Sequence, residues 1–139
     1  MAMYRSPIKP ILVTGGSGYV GSKLVPMLAQ HAPVRVLETM AFGNSIAGTQ
    51  NVEFVQGDIR DHRVVRQAIR GVDSVIHLAG IVTDELVDIN PDYSNRINVE
   101  AMRTLCIEAQ LAGVKRFIYA SSSSVYGSQE SECHEGTRP

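Results

Sequence analysis

A chain of 139 residues is long enough for one domain, burying roughly two-thirds of the surface its unfolded form exposes, and too short for two. Its net charge of −1, with the basic residues scattered, excludes the electrostatic footprint of a nucleic-acid or anionic-membrane binder. No apolar run approaches the roughly twenty residues that span a bilayer, and Met1 to Pro10 lacks a signal-peptide core, so a cytoplasmic chain is expected.

The first predicted element is a short apolar strand, Ile11 to Thr14, that runs into Gly15-Gly16-Ser17-Gly18-Tyr19-Val20-Gly21 and then a helical pattern over Tyr19 to Gln30. Glycines at 15, 18 and 21 let the turn tighten, let the backbone approach a pyrophosphate, and let the helix pack closely on the sheet. Phosphates would sit on free amides at the helix N-terminus, where the dipole favours negative charge. This arrangement binds dinucleotides, and it makes Gly15, Gly18, Tyr19, Val20 and Gly21 candidate cofactor contacts. Pro26 falls inside the helix, where it removes a hydrogen bond and costs on the order of 3 kcal/mol unless a kink absorbs it. The second strand, Val34 to Glu38, ends about twenty residues beyond the glycine turn, where a carboxylate can accept from both hydroxyls of an adenine ribose. A 2′-phosphate would meet like charge there, so NAD is expected over NADP. Arg35 and the loop Thr39 to Gly48 leave NADP open, and the alternative for Glu38 is a solvated strand end.

The third strand, Val52 to Gln56, leads into Gly57-Asp58-Ile59-Arg60-Asp61. Asp58 can accept from an adenine amino group while Ile59 packs on the ring face, and Asp61 can cap the helix predicted over His62 to Ile69. The fourth strand, Ser74 to Leu78, closes on His77-Leu78-Ala79-Gly80, small and apolar residues that let the backbone approach the cofactor. His77 belongs to the apolar run of that strand and reads as a core residue. A long helical pattern, Tyr93 to Ala112, precedes the last strand, Arg116 to Ala120, and a run of four serines. Cys106 in that helix and Cys133 in the polar tail from Ser128 to Pro139 read as free thiols. His31, His62, His77 and His134 lack ligand spacing, so no metal site is expected. Short, nearly continuous apolar strands alternating with helices predict one α/β domain over residues 1–139, a doubly wound, Rossmann-like parallel sheet of strand order 3-2-1-4-5.

Together these residues resemble the extended short-chain dehydrogenases/reductases, in particular the NAD-dependent epimerase/dehydratase family of nucleotide-sugar enzymes. The motifs that carry the resemblance are Thr14 to Gly21, Gly57 to Asp61, His77 to Gly80, Asn98-Val99, and Tyr119-Ala-Ser-Ser-Ser-Ser-Val-Tyr-Gly127. The resemblance implies that Gly15, Gly18, Tyr19 and Val20 face the pyrophosphate, Glu38 the ribose, Asp58 and Ile59 the adenine, and Leu78, Ala79 and Gly80 the central cofactor. It also implies that Asn98 holds the fourth helix in place, that Ala120 and Ser121 lie beside the nicotinamide, and that Ser122 is the catalytic serine, orienting a substrate oxygen.

Such enzymes pair the serine with a later Tyr-x-x-x-Lys, the tyrosine as general base. No lysine follows Lys115, and the one formal match, Tyr19-Val-Gly-Ser-Lys23, lies in the phosphate turn and reads as coincidence; Tyr126 belongs to the substrate-side loop. The chain is therefore expected to be the amino-terminal part of a longer enzyme, inactive alone, acting with a nucleotide sugar in complete form. The other reading is a short NAD-binding sensor or subunit without catalysis. Either way the fifth strand would be an open sheet edge, a surface for homodimer formation or other pairing.

Overall fold

The computed structural model describes residues 8–41, 43–128 and 132–138. Strands and helices follow one another as β1 (Ile11–Thr14), α1 (Gly21–Ala29), β2 (Val34–Glu38), β3 (Val52–Gln56), α2 (His62–Ile69), β4 (Ser74–His77), α3 (Asp84–Ile89), α4 (Pro91–Asn95), α5 (Met102–Leu111) and β5 (Arg116–Tyr119). A π-helical segment, Arg96–Ala101, joins α4 to α5, and a 3₁₀ turn, Ser123–Tyr126, follows β5. The sheet is wholly parallel in the order β3-β2-β1-β4-β5, as the alternation of strands and helices predicts. Beyond β1 the chain builds outward through β2 and β3, then returns to pair β4 on the other side of β1. The crevice between β1 and β4 is thus the topological switch point, where parallel α/β sheets bind ligands.

Successive side chains of a strand point to opposite faces, and β1 distributes its residues accordingly. Leu12 joins Leu37, Val75, Val65, Ile69 and Leu105 under α2 and α5, whereas Val13 joins Val34, Val36 and Val25 under α1. Both faces being covered explains why β1 reads as a continuous apolar run. Register aligns Thr14 with Leu37 on one side and His77 on the other, so the carboxyl ends of the three central strands form a level crest.

Several boundaries differ from expectation. Helix α1 begins at Gly21, not Tyr19, because Gly18 N donates to Gly15 O (3.1 Å) and closes a tight turn before helical bonding starts. Pro26 lies inside α1, which continues to Ala29. β4 ends one residue early and β5 one residue early, although Leu78 N still donates to Thr14 O (3.1 Å) and Ala120 N to His77 O (3.3 Å). The pattern over Tyr93 to Ala112 resolves into α4, the π segment and α5. Helix α3 was outside the sequence reading; it buries no residue and so carries no apolar period. Among the described residues no helix is long and apolar enough to cross a membrane. Residues 1–7, 129–131 and 139, on which the readings of the chain start and polar tail partly fall, lie outside the described residues, as does Phe42.

Candidate cofactor site

At the crest, the turn after β1 is built by glycines for three different steric reasons. Gly15 has φ +72°, and a Cβ there would lie 2.7 Å from Ala79 N, so only glycine lets this turn rest against the chain leaving β4. The close packing of turn on sheet falls to Gly16, whose added Cβ would lie 2.7 Å from Val36 Cγ1. Gly21 instead lets α1 start directly on the Gly16 backbone, which a side chain would overlap. Gly18 is exposed, and an added Cβ there would have one neighbour within 4 Å, Gly15 O at 3.2 Å, leaving its outer side open. Tyr19 and Val20 also expose their side chains. The amides of Tyr19, Val20 and Gly21 meet no acceptor among the described residues, and no side chain caps α1. A helix start that is open in this way is an anion-binding surface.

Glu38 stands at the end of β2 with its carboxylate turned over this turn. Ser17 N donates to Oε2 (3.3 Å), while Thr39 N (2.9 Å) and Thr39 Oγ1 (3.2 Å) donate to Oε1. A carboxylate accepts at about four lone-pair positions, so capacity remains on Oε2, and the long Thr39 hydroxyl bond is replaceable. Arg35, three residues earlier, is committed elsewhere: it pairs with Glu53 (2.8 Å) and donates to the carbonyls of Ala68 (2.8 Å) and Arg70 (2.7 Å) at the end of α2.

The two adenine candidates have different surroundings. The Asp58 carboxylate is held by Arg60 through Nη2 (2.6 Å) and Nε (3.0 and 3.1 Å), which keeps its pKa below the ordinary value. The Arg60 guanidinium in turn lies 4.6 Å from the centre of the Tyr93 ring. Ile59 is 6% exposed and packs in the core with Val65 and Leu105, so its side chain faces inward. Asp61 caps α2 by accepting from Arg63 N (2.8 Å).

On the other side of the crevice, Thr14 Oγ1 lies 2.6 Å from His77 Nδ1 and accepts from Ala79 N (3.4 Å). His77 is 1% exposed, stacks on Tyr119 with centroids 5.8 Å apart, and has its pKa lowered to about 4 by burial, as a core histidine should. Asn98, in the π segment, accepts from Ile81 N (2.8 Å) and donates to Ile81 O (2.7 Å), fastening the loop that carries Leu78, Ala79 and Gly80. Beyond β5, Ala120, Ser121 and Ser122 are exposed, and Ser122 Oγ accepts from Ser124 N (3.1 Å) as the cap of the 3₁₀ turn.

Comparison with known proteins agrees with this architecture. Residues 11–139 match the profile of the NAD dependent epimerase/dehydratase family. The chain belongs to that family. It is 36% identical over 133 residues to a UDP-glucose 4-epimerase of Neisseria meningitidis serogroup C, covering 86% of this chain and 38% of that protein. It is 36% identical over 122 residues to a 3 beta-hydroxysteroid dehydrogenase/Delta 5-->4-isomerase of Mycobacterium tuberculosis, covering 83% and 32%. Among solved structures, a short-chain dehydrogenase/reductase superfamily protein from Agrobacterium tumefaciens with bound NAD superposes with a TM-score of 0.73 at 36% identity, covering 85% of this chain and 34% of that one. The chain thus spans about a third of the length of these relatives.

In this epimerase/dehydratase fold, one crest gathers Gly15, Gly18, Glu38, Leu78, Ala79, Gly80, Asn98 and Ala120 through backbone and side-chain contacts. The sequence reading missed Ser17, whose amide meets Glu38, and Thr14, which links His77 to Ala79. A hydroxyl ending an otherwise apolar strand was the available signal for Thr14. Arg60 was also missed as the partner of Asp58, although opposite charges two residues apart in a strand-end loop are within reach of each other.

Proposed function

We propose that this chain is the NAD-binding portion of a cytoplasmic nucleotide-sugar epimerase or dehydratase that works by transient hydride transfer. The observation that carries the reading is the juxtaposition on one crest of unsatisfied helix-start amides, a carboxylate with remaining acceptor capacity, and a glycine turn against the Ala79 backbone. These fit a dinucleotide: Tyr19, Val20 and Gly21 amides would hold the pyrophosphate, Glu38 the adenine ribose, and Leu78 to Gly80, with Ala120 and Ser121, the central and nicotinamide parts. NAD is preferred to NADP, since Arg35 is tied to the end of α2 and residues 39–48 contain no lysine or arginine to meet a 2′-phosphate.

When bound, NAD supplies the hydride acceptor and donor. Ser122 is the catalytic residue on this chain: its Oγ already accepts from Ser124 N, which leaves the hydroxyl proton to be donated to a substrate oxygen. The nucleotide-sugar assignment takes the match to the UDP-glucose 4-epimerase, 133 residues against 122 for the steroid enzyme, as its guide. The partners follow: a nucleotide sugar in the complete enzyme, neither nucleic acid nor membrane, and pairing, as a homodimer or otherwise, along the open edge of β5. Calorimetric titration of the chain with NAD tests the core of this reading. Micromolar to millimolar binding that Gly18→Val abolishes, with circular dichroism unchanged, is the expected result; no NAD binding by the unmutated chain refutes it.

A further inference from the structure

The loop after β2 is not a free connection. Ile46 is 2% exposed and packs with Val13, Val25 and Val36 in the core, which anchors the far end of the loop to the face covered by α1. From that anchor Ser45 Oγ donates to Ser17 O (2.8 Å), and Ser17 Oγ donates to Met40 Sδ (3.8 Å). Met40 itself has φ +62°, a conformation uncommon for an unbranched side chain and retained only where the surroundings dictate it. Residues 40 and 45 therefore hold Ser17 from two sides, by its hydroxyl and its carbonyl, while the amide of the same residue donates to Glu38 Oε2 (3.3 Å).

We propose that Ser45 and Met40 are positioning residues that set cofactor affinity and selectivity: with Ile46 as their anchor they form a strap that fixes Ser17, and through Ser17 orients the Glu38 carboxylate toward a ribose diol. The proposal rests on the reading of Glu38 as the ribose acceptor and adds to it a means of holding that carboxylate. A carboxylate pinned on one side by Ser17 and on the other by Thr39 presents its remaining lone pairs in one direction, which suits two adjacent hydroxyls and opposes a phosphate. Released from Ser17 but still held at Oε1 by Thr39, the same carboxylate pivots in place, and its contact with a free diol weakens more than its repulsion of a phosphate, because repulsion depends on distance and not on hydrogen-bond direction.

The test is titration of NAD and NADP by calorimetry into the whole chain and its Ser45→Ala, Ser45→Thr, Met40→Leu and Glu38→Ala variants. Ser45 is exposed, so its replacement leaves the core intact. We expect Ser45→Ala to weaken NAD about three- to tenfold with little change for NADP, Met40→Leu to do so less, and Ser45→Thr to restore the wild-type ratio. Amide exchange at Ser17, slowed by NAD in the wild type, should be faster in Ser45→Ala. An unchanged NAD to NADP ratio in Ser45→Ala, with Glu38→Ala still narrowing it, overturns the strap and leaves the ribose assignment standing. Equal losses for both cofactors, or a loss that Ser45→Thr does not rescue, also overturn it, since the loop then acts on overall stability alone. Absence of NAD binding by the wild type removes the reading on which the strap depends.

Discussion

Three residues apart on β2, Arg35 and Glu38 are committed to opposite ends of the sheet. Arg35 neutralises the carbonyl end of α2 through Ala68 and Arg70, while Glu38 reaches over the glycine turn. Replacing Glu38 with Ala should therefore narrow the NAD over NADP preference by about tenfold, the equivalent of one or two charge-assisted hydrogen bonds, in a paired calorimetric titration. A preference for NADP in the unmutated chain would refute the assignment. His77 makes a second residue-scale prediction. Its folded pKa of about 4 lies below the unfolded value near 6.5, so the unfolded chain takes up a proton first as the pH falls. Stability is complete above 6.5, declines through the interval down to 4, and levels off below it. Between pH 7 and 5 the loss should be about 2 kcal/mol in urea unfolding, and His77→Asn should flatten that dependence.

At the scale of elements, legibility in the sequence followed the strength of the physical signal. The central strands β1, β2 and β4 were readable because they are largely buried between helices, and α2 because Asp61 announces its start and Val65, Ala68 and Ile69 repeat on one face. Helix α3 was not readable: Leu86 and Ile89 are exposed, and six residues cannot show a period. The π segment was invisible because its extra residue interrupts no apolar pattern; it shows only in where Asn98 points. The candidate site was legible where backbone geometry demands glycine or where a charge ends a strand. It was not legible where one side chain answers another, as Arg60 answers Asp58. Asn98 ties the π segment to the loop beyond β4 by two hydrogen bonds to one residue. Asn98→Ala leaves both polar groups of Ile81 without their partner and should destabilise by about 1–3 kcal/mol, lowering Tm by several degrees. Asn98→Asp separates the two bonds, since it still accepts from Ile81 N but sets a carboxylate against Ile81 O. It should fall between wild type and Asn98→Ala, and equal Tm for all three would show that the fastening is unimportant.

At the scale of the whole chain, the role proposed for Ser122 needs a proton acceptor beside it. Removing a hydride from a carbinol carbon requires loss of the hydroxyl proton, and that needs a base positioned on the same oxygen with a pKa near the working pH. His77 is buried and spends Nδ1 on Thr14, while Tyr19 and Lys23 belong to the glycine turn and the first turn of α1, which follow β1 and not β5. No lysine follows Lys115 to form the Tyr-x-x-x-Lys pair. General acid–base assistance contributes roughly a hundred- to ten-thousand-fold, and the positioning of substrate that surrounding structure supplies contributes at least as much. The 139-residue chain supplied with NAD and UDP-, GDP- or dTDP-sugars should therefore show no turnover above background, by NADH absorbance or by chromatography of the sugar products. Supplying the carboxyl-terminal remainder of a related epimerase as a separate chain should restore measurable rate only if β5 pairs with it, and Ser122→Ala should abolish that restored rate. Sustained turnover by the chain alone, lost on Ser122→Ala, would place the base within residues already present and overturn the division of the reaction between this portion and the rest.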